Sequence, residues 1–390
     1  MRRTALICML VLVATACSPT AEPTTTTQAP ATSTTTTTIP TTTTSVLAVA
    51  GAESDAELTA LVRALYALPE GGGAIAAPQP LIDGFTNAVT PTTPRAATAS
   101  IGEVGGARVA VIEADSDVTL AVADPTWRVV GGWWPSHQVA TLLGEFPKTV
   151  AVVGSDARPD EDRNTARADS IHFVTLAGDG SAAVVGVPRD SWVPIPDHGN
   201  SKLNAALNFG GPELMMATFA ELTGAEFDGY LLTGFAGFQD MIDVLGGLEI
   251  DVPQSLNDRS AKASIEAGLQ VLDAADALAF ARVRKALADG DFGRQANGGL
   301  ALMAAASMLK EMGPKAIPDL MTRSWDMYST DMTPEELLTL AAAVTLVDLE
   351  KTGNVVASGS AGSAGRASVV YLNDGAYQTF EDMVDGHLDQ

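Results

Sequence analysis

The chain has 390 residues, 46% of them hydrophobic and 18% charged, and its formal net charge at pH 7 is -24. This length allows one large domain or two ordinary ones, and the apolar content excludes overall disorder. So acidic a chain is a poor partner for nucleic acid, because non-specific affinity for nucleic acid comes from spread positive charge.

The N-terminus has the pattern of a bacterial export signal. Arg2 and Arg3 precede an apolar run over residues 5–13 that is too short for a lasting transmembrane helix. Small residues then lead to Cys17, which predicts a signal peptide over residues 1–17 with a lipoprotein-type processing site. Ordinary cleavage without lipid stays open. With Cys17 acylated, the chain would sit on the outer face of the cytoplasmic membrane, lipid-anchored, with an extracellular domain.

The cysteine usage favours the anchor. Cys8 would leave with the signal, so that Cys17 would be the only thiol of the mature chain and could form no intramolecular disulfide. The following segment, residues 18–48, is mostly Thr, Pro, Ala and Ser. Such a composition cannot build a core and predicts a disordered, extended stalk.

A small α+β domain of unknown role is predicted over residues 49–147. Apolar positions at helical spacing predict a helix over residues 53–68, and short strands are predicted at 108–112, 118–122 and 127–130. Three side chains stand out near its end: Trp133, Trp134 and His137. They could line a sugar site, although packing against the neighbouring domain is the favoured interpretation.

From residue 148 to residue 390 strand and helix patterns alternate. Strands are predicted at 149–153, 170–176, 182–187 and 230–233, and helices at 212–222, 235–245, 272–285, 295–312, 334–344 and 376–384. This mixture predicts an α/β fold with a central sheet flanked by helices.

The arginines of this domain are concentrated beside carboxylates. Of the 14 arginines outside the export signal, seven lie in three short segments, namely Arg158, Arg163, Arg167, Arg189, Arg282, Arg284 and Arg294. The same segments carry Asp156, Asp169, Asp190 and Asp291. Guanidinium groups match phosphate geometry, so the pattern predicts a site for one local anion held together with a divalent metal. Asp156 and Asp169 flank neighbouring strands and could offer oxygen ligands to Mg²⁺.

These motifs together resemble those of the LytR-CpsA-Psr family, in the same order along the chain. They are Gly154-Ser155-Asp156-Ala157-Arg158, Arg167-Ala168-Asp169, Pro188-Arg189-Asp190, Lys202-Leu203-Asn204-Ala205 before Gly210-Gly211, Asp243-Val244-Leu245-Gly246-Gly247, Ala277-Leu278 before Arg282-Val283-Arg284, and Gly290-Asp291-Phe292-Gly293-Arg294. The resemblance covers residues 148–390.

The resemblance implies an extracytoplasmic phosphotransferase that moves a glycopolymer from a polyprenyl diphosphate carrier to peptidoglycan. It implies a central mixed sheet flanked by helices, with the polyprenyl tail between them. The implied metal, Mg²⁺ or Mn²⁺, lies at Asp156 and Asp169. The residues expected to bind diphosphate are Arg189, Arg282, Arg284, Arg294 and Lys202, and those expected to act in catalysis are Arg189, Asp190 and Asp291. Asp190 or Asp291 could accept the proton of the acceptor hydroxyl, or could only orient an arginine.

Two features of the sequence leave questions open. Ten apolar side chains could line the lipid tunnel or only form core, namely Leu214, Met215, Met216, Phe219, Leu222, Leu231, Phe235, Phe238, Met241 and Ile242. Many relatives carry an Arg-Gln pair where this chain has Asn297-Gly298; Gln295 could substitute in part, or the acceptor side could differ.

Alternative functions use the same lipid. The chain could bind a polyprenyl-diphosphate glycan without turnover, or act as a pyrophosphatase with water as acceptor. The family's older label of transcriptional attenuator conflicts with the export signal and the acidic charge. No nucleic-acid partner is expected.

Overall fold

The computed structural model describes residues 48–52, 55–71, 73–89 and 96–388. The predictions of a signal peptide with Cys17 and of a stalk fall on residues outside these ranges, apart from the last residue of the stalk. Across the described ranges no helix combines the length and the apolarity needed to cross a bilayer.

The N-terminal part is a six-stranded sheet with two helices packed on it. Its elements are β1 Ala48–Ala50, α1 Ala56–Tyr66, α2 Gln79–Thr86, β2 Ala96–Val104, β3 Ala107–Ala114, β4 Asp117–Ala123, β5 Trp127–Trp134 and β6 Val139–Leu142. The strands follow one another in the sheet in chain order, and all neighbours are antiparallel except β1 and β2. The predicted helix and the three predicted strands of this part are confirmed, with longer strands than the apolar runs alone indicated.

The rest of the described chain alternates strands and helices. The strands are β7 Lys148–Ser155, β8 Ala168–Leu176, β9 Ala182–Gly186, β10 Trp192–Ile195, β11 Gly199–Lys202, β12 Gly229–Thr233, β13 Leu248–Val252, β14 Leu256–Asp258, β15 Ala263–Ile265, β16 Gly268–Leu272, β17 Tyr328–Ser329, β18 Thr352–Val356, β19 Gly359–Ala364 and β20 Ala367–Leu372. The helices are α3 Ala205–Thr223, α4 Phe235–Leu245, α5 Ala274–Arg282, α6 Asp291–Met312, α7 Ile317–Ser324, α8 Pro334–Leu346 and α9 Asp374–Asp382.

A mixed six-stranded sheet lies at the centre of this part, in the order β17-β12-β7-β8-β9-β18. β12 runs parallel to β7 and β18 parallel to β9, whereas β8 runs antiparallel to both of its neighbours, β7 and β9. The predicted central mixed sheet flanked by helices is therefore confirmed.

One face of the sheet packs into an apolar core, and the other face borders a cavity. Successive strand side chains point to opposite faces, so on β8 Ile171 and Phe173 enter one core while Ser170 and His172 face the other side. The first core is built with α3 and α9, through residues such as Phe219 and Phe380. The opposite face, covered by α4, α5, α6 and α8, holds a cavity.

Three helices differ from prediction, and two of these differences affect the site. The predicted helix 272–285 ends at Arg282, because Val283 has extended backbone angles and the chain leaves the helix there. The predicted helix 295–312 begins earlier, at Asp291, which puts Arg294 in its first turn. The predicted helix 212–222 is part of α3, whose backbone is broken at Gly210 and Gly211 just before Pro212.

Candidate active site

A cavity of about 740 Å³ lies between the central sheet and helices α4, α5, α6 and α8. Most of its wall is apolar: Phe238 and Met241 come from α4, Leu302 from α6, and Leu340 and Val344 from α8. We call this part the apolar body of the cavity. A space of this volume with an apolar wall suits a hydrocarbon chain.

One part of the cavity wall is strongly charged. Five cationic side chains line it together with one carboxylate, namely Arg189, Arg282, Arg284, Lys285, Arg294 and Asp169. We call this set the charged mouth. It gathers the four arginines that the sequence predicted to bind diphosphate, and it adds Lys285, which the sequence had placed at the end of a helix.

The arginines reach the charged mouth from separate elements. Arg189 follows β9, Arg282 is the last residue of α5, and Arg294 lies in the first turn of α6. Arg284 lies in the loop after α5, and this loop is fixed by Asp258 at the end of β14. The Asp258 carboxylate accepts the backbone N–H of Arg284 at 3.3 Å and of Lys285 at 2.9 Å.

Asp258 is well suited to this anchoring role. Its carboxylate also accepts the hydroxyl of Ser260 at 2.5 Å and the Ser260 backbone N–H at 2.8 Å. The Ser260 hydroxyl and these backbone donors hold the pKa of Asp258 well below its usual range, against the opposing effect of burial. No motif marked this residue in the sequence, since its partners are backbone groups 26 and 27 positions away.

The guanidinium groups of the mouth are incompletely satisfied. Arg189 is paired with Asp169, and Arg294 lies 3.8 Å from the same carboxylate and 2.6 Å from Asp291. Yet Nε of Arg189 and Nε of Arg294 are buried without a hydrogen-bond acceptor. Buried donors without acceptors are costly, and an anion bound between these two arginines would satisfy them.

Burial and charge shift the pKa values of this group in different directions. Burial lowers the pKa of Arg294 below its ordinary value, although Asp291 opposes the shift. Burial also acts against Arg189, but the carboxylates of Asp169, Asp291 and Asp190 outweigh it and raise its pKa. The pKa of Asp291 is raised, chiefly by burial. A phosphate bound beside Arg294 would add negative charge there and so favour the charged form of its guanidinium.

Three predicted site residues are not among the described residues that line the cavity. Lys202 pairs with Asp190 at 2.9 Å, and Asp291 pairs with Arg294, but none of the described cavity-lining residues is Lys202, Asp190 or Asp291. In this geometry both carboxylates are partnered by cations of the site. Their roles in catalysis, and that of Lys202 in binding diphosphate, stay predictions.

The two predicted metal ligands lie in different hollows. Asp169 faces the cavity, and its Oδ1 is buried without a hydrogen-bond partner, which fits a ligand for a hard cation. Asp156 lines a separate polar hollow of about 350 Å³, where its Oδ1 accepts the backbone N–H of Arg167 at 2.9 Å. Over the described ranges no three His, Cys, Asp or Glu side chains cluster as a metal site. Mg²⁺ often takes only one or two carboxylates together with phosphate oxygens, so Asp169 fits that role and Asp156 remains a prediction.

The predicted lipid-tunnel residues divide between the two faces of the sheet. Five of them line the cavity: Leu231, Phe235, Phe238, Met241 and Ile242. The other five belong to or pack against the core on the opposite face: Leu214, Met215, Met216, Phe219 and Leu222. For these five, which belong to α3, the alternative of core packing applies. Helical spacing identifies the apolar side of a helix but not the face of the sheet on which the helix packs.

The remaining clustered arginines lie outside the charged mouth. Arg158 is exposed, Arg167 borders the outer hollow, and Arg163 donates to the backbone carbonyl of Asp326 at 3.0 Å. The contact of Arg163 supports the loop between β7 and β8.

Gln295 and His172 join the start of α6 to β8 beside the mouth. The Gln295 side chain contacts the backbone of this strand through the Ile171 N–H at 3.4 Å and the Asp169 carbonyl at 3.5 Å. Its backbone carbonyl lies 2.8 Å from Nε2 of His172. In this chain Gln295 makes these polar contacts and Gly298 lies against His172. The partial substitution of Gln295 for the Arg-Gln pair of relatives stays a prediction.

The N-terminal sheet supports the cavity from behind. Its residues Val111 and Leu120 share one core cluster with Leu337 and Met321, which line the cavity. Arg128 on β5 also pairs with Glu335 on α8. These contacts make the position of α8, and so of the inner cavity wall, depend on this sheet.

The two tryptophans and the histidine near the end of this sheet form no sugar site. Trp134 is fully buried and donates to the Thr119 hydroxyl at 2.8 Å, and His137 is paired with Asp117 at 2.9 Å. Both pack inside the N-terminal part. Only Trp133 packs against the cluster shared with the second part, so packing between the parts is confirmed for Trp133 alone.

The chain is similar in sequence to known proteins. Residues 135–375 match the family model described as the LytR_cpsA_psr family. A probable cell wall biosynthesis protein LcpB from Corynebacterium glutamicum is 37% identical over 172 residues, or 41% of either chain. The polyisoprenyl-teichoic acid–peptidoglycan teichoic acid transferase TagT of Bacillus subtilis is 32% identical over 155 residues, 37% of this chain and 48% of TagT. This chain thus spans about half or less of the length of these relatives.

Solved structures share the fold. TagT bound to LIIa-WTA superposes with a TM-score of 0.53 at 23% identity, covering 64% of this chain and 94% of the TagT chain. B. subtilis TagV superposes with the same score and identity, covering 63% of this chain and all of TagV. At this identity the likeness establishes the fold alone.

Proposed function

The chain belongs to the LytR_cpsA_psr family, and on that premise we propose that it is an extracytoplasmic phosphotransferase. It would move a glycopolymer from a polyprenyl diphosphate carrier to peptidoglycan during cell wall assembly. The name of its relative TagT describes a transfer of this kind for teichoic acid. The observation that carries the proposal is the joining of the charged mouth to the apolar body in one cavity.

Each part of the cavity suits one part of such a carrier. Arg189, Arg282, Arg284 and Arg294 would hold the diphosphate, and the unsatisfied donors of Arg189 and Arg294 are the strongest sign of it. The polyprenyl tail would lie along the apolar body towards Leu340 and Val344 on α8. Burial of the tail would supply affinity through the hydrophobic effect, while the arginines would fix the position of the phosphorus.

The reaction follows from this placement. The acceptor hydroxyl forms a bond to the phosphorus next to the glycan, the bond to the bridging oxygen breaks, and polyprenyl phosphate leaves with the negative charge. The hydroxyl proton passes to a base, for which Asp190 and Asp291 stay the candidates. The arginines neutralise charge that grows on the phosphoryl oxygens. Mg²⁺ or Mn²⁺ held by Asp169, with Asp156 as the further predicted ligand, would add charge neutralisation there.

The place of action is part of the proposal. A lipid on Cys17 would hold the chain at the outer face of the cytoplasmic membrane, where both the carrier lipid and peptidoglycan are found. The Thr-rich residues 18–48 would then separate the catalytic part from the bilayer.

A transfer assay tests the proposal. The full chain is incubated with a polyprenyl-diphosphate glycan labelled in the sugar, with Mg²⁺ and with peptidoglycan, and label on the peptidoglycan is measured. We expect transfer by the wild type and a loss of at least a hundredfold in Arg189→Ala. The matched control Arg323→Ala removes an exposed arginine paired only with Asp319 at 3.5 Å and should keep wild-type activity.

The other outcomes identify the alternatives. Label released only into solution would indicate a pyrophosphatase, and lipid retained without any release would indicate a binding protein without turnover. Either result contradicts transfer to peptidoglycan.

A further inference from the structure

His172 is a buried histidine in the cavity wall that the proposed reaction does not use. It is 2% exposed, and its two ring nitrogens contact different partners. Nε2 lies 2.8 Å from the carbonyl of Gln295, and Nδ1 lies 3.3 Å from the hydroxyl of Ser170. Because a carbonyl can only accept, Nε2 carries the proton, and a neutral ring then offers Nδ1 as an acceptor to Ser170.

The backbone around His172 and Ser170 has glycines at two positions where a Cβ would come too close to neighbouring atoms. A Cβ at Gly298 would lie 2.4 Å from Cε1 of His172 and 3.4 Å from the Ser170 hydroxyl. A Cβ at Gly186 would lie 2.9 Å from Cβ of Gln295 and 3.4 Å from Nε2 of His172. Two glycines on different elements thus leave room for the imidazole and for its link to α6.

We propose that His172 is a positioning residue that directs the Ser170 hydroxyl, so that the Ser170 oxygen faces the cavity as a hydrogen-bond acceptor for the attacking hydroxyl. Ser170 lines the cavity one residue from Asp169 of the charged mouth. With its only proton donated to His172, its lone pairs are left for a donor from the cavity.

This inference rests on the proposed function, since an attacking hydroxyl is the donor that the reaction would bring there. The five cations of the mouth cannot accept a hydrogen bond, which leaves Asp169 and the hydroxyls that line the cavity, Ser170 among them, as acceptors. Burial, together with the charge of Arg294, lowers the pKa of His172 to about 4, against the effect of the Gln295 carbonyl. The imidazole therefore stays neutral and keeps Nδ1 available.

A double-mutant cycle tests the link. Ser170→Ala removes the acceptor, and His172→Leu removes both hydrogen bonds while filling the space. If His172 acts through Ser170, each variant lowers kcat for transfer about tenfold, and the double variant is no slower than Ser170→Ala alone. KM for the lipid diphosphate should stay unchanged. His172→Gln, which can donate to the carbonyl and accept from the hydroxyl, should recover kcat to within about threefold.

The cycle has clear contrary results. A wild-type kcat in Ser170→Ala, or losses that multiply in the double variant, would overturn the proposal. His387→Leu, at an exposed histidine remote from the cavity lining, serves as the control and should leave kcat unchanged.

A second measurement does not depend on turnover. It therefore still tests the proposal if a variant fails to fold or if the wild type does not react. In ¹⁵N-histidine NMR of the full chain, His172 should show a protonated Nε2 and an unprotonated Nδ1 whose resonance moves in Ser170→Ala. Protonation at Nδ1, or no response to Ser170→Ala, would overturn the link between the two residues. An inactive wild type with the expected spectrum would instead contradict the proposed function.

Discussion

The guanidinium of Arg282 lies over the ring of Phe235, with 4.4 Å between Cζ and the ring centroid. Arg282 ends α5 and Phe235 begins α4, and both line the cavity. The boundary between the charged mouth and the apolar body is thus a cation–π contact. It holds Arg282 in place without neutralising its charge, which leaves that charge free for an anion.

Replacing Phe235 by Leu should weaken binding of the lipid diphosphate. Leucine keeps the wall apolar but removes the aromatic face, and a contact of this kind contributes about 1 kcal/mol, which corresponds to about a fivefold loss of affinity. Binding titrations with polyprenyl diphosphate and with uncharged polyprenol measure it. Polyprenol binding should not change, and Phe238→Leu, in the same wall without a stacked cation, is the control. An equal loss for both ligands would contradict the role of Arg282.

Filling the apolar body should exclude the lipid tail. Ala305 lines the cavity on α6, and Ala305→Phe would occupy part of its volume. We expect a loss of affinity that grows with the length of the prenyl chain, reaching at least tenfold for the long carrier. Ala220→Phe, at an exposed position of α3 on the other face of the sheet, should have no effect. A uniform loss for short and long chains would indicate general disruption.

Removing the carboxylate of Asp258 should release the loop that carries Arg284 and Lys285. Asp258→Ala leaves the backbone donors of both residues without their acceptor, and the expected cost to unfolding free energy is about 1–3 kcal/mol. Affinity for inorganic diphosphate should fall together with stability. Asp251→Asn, at an exposed position of β13, should change neither. Unchanged diphosphate affinity in Asp258→Ala would contradict the anchoring role.

His172 should make the chain less stable in mild acid. Burial lowers the pKa of His172 from 6.5 to about 4. Between pH 6.5 and pH 4 the residue is therefore protonated in the unfolded chain but neutral in the folded chain. The contribution of His172 to the free energy of unfolding is full above pH 6.5. It falls progressively down to about pH 4, by about 3 kcal/mol in all. Urea unfolding at several pH values measures it. The difference between wild type and His172→Gln isolates this effect from the carboxylates, and parallel curves would contradict it.

Much of the fold followed from local patterns. The strands around residues 149–153 and 170–176 are buried and β-branched, and the helix at 235–245 ends in two glycines, so periodicity and chain terminators were sufficient. The two-stranded sheets β10–β11, β13–β16, β14–β15 and β19–β20 were not predicted as pairs. They are short and half-exposed, and their pairing depends on tertiary context more than on apolar runs.

The charged residues that line the site were predicted more completely than the residues that hold them in position. Arg189, Arg282, Arg284 and Arg294 converge as expected, because clustering of guanidinium groups in an acidic chain is visible in the sequence. Asp258 and His172 had no such signal: one binds backbone groups, and the other is a single histidine in an apolar strand. In the sequence, Gly186 and Gly298 were the features connected with the packing of His172. A glycine shows that there is no room for a side chain only once its neighbours in the fold are known.

The most direct test of the account is a structure of the full chain with a bound polyprenyl diphosphate. We expect the diphosphate between Arg189, Arg282, Arg284 and Arg294, with acceptors for the buried donors of Arg189 and Arg294, and the tail within the apolar body towards Leu340 and Val344. A diphosphate bound elsewhere, or a tail lying outside the cavity, would contradict it.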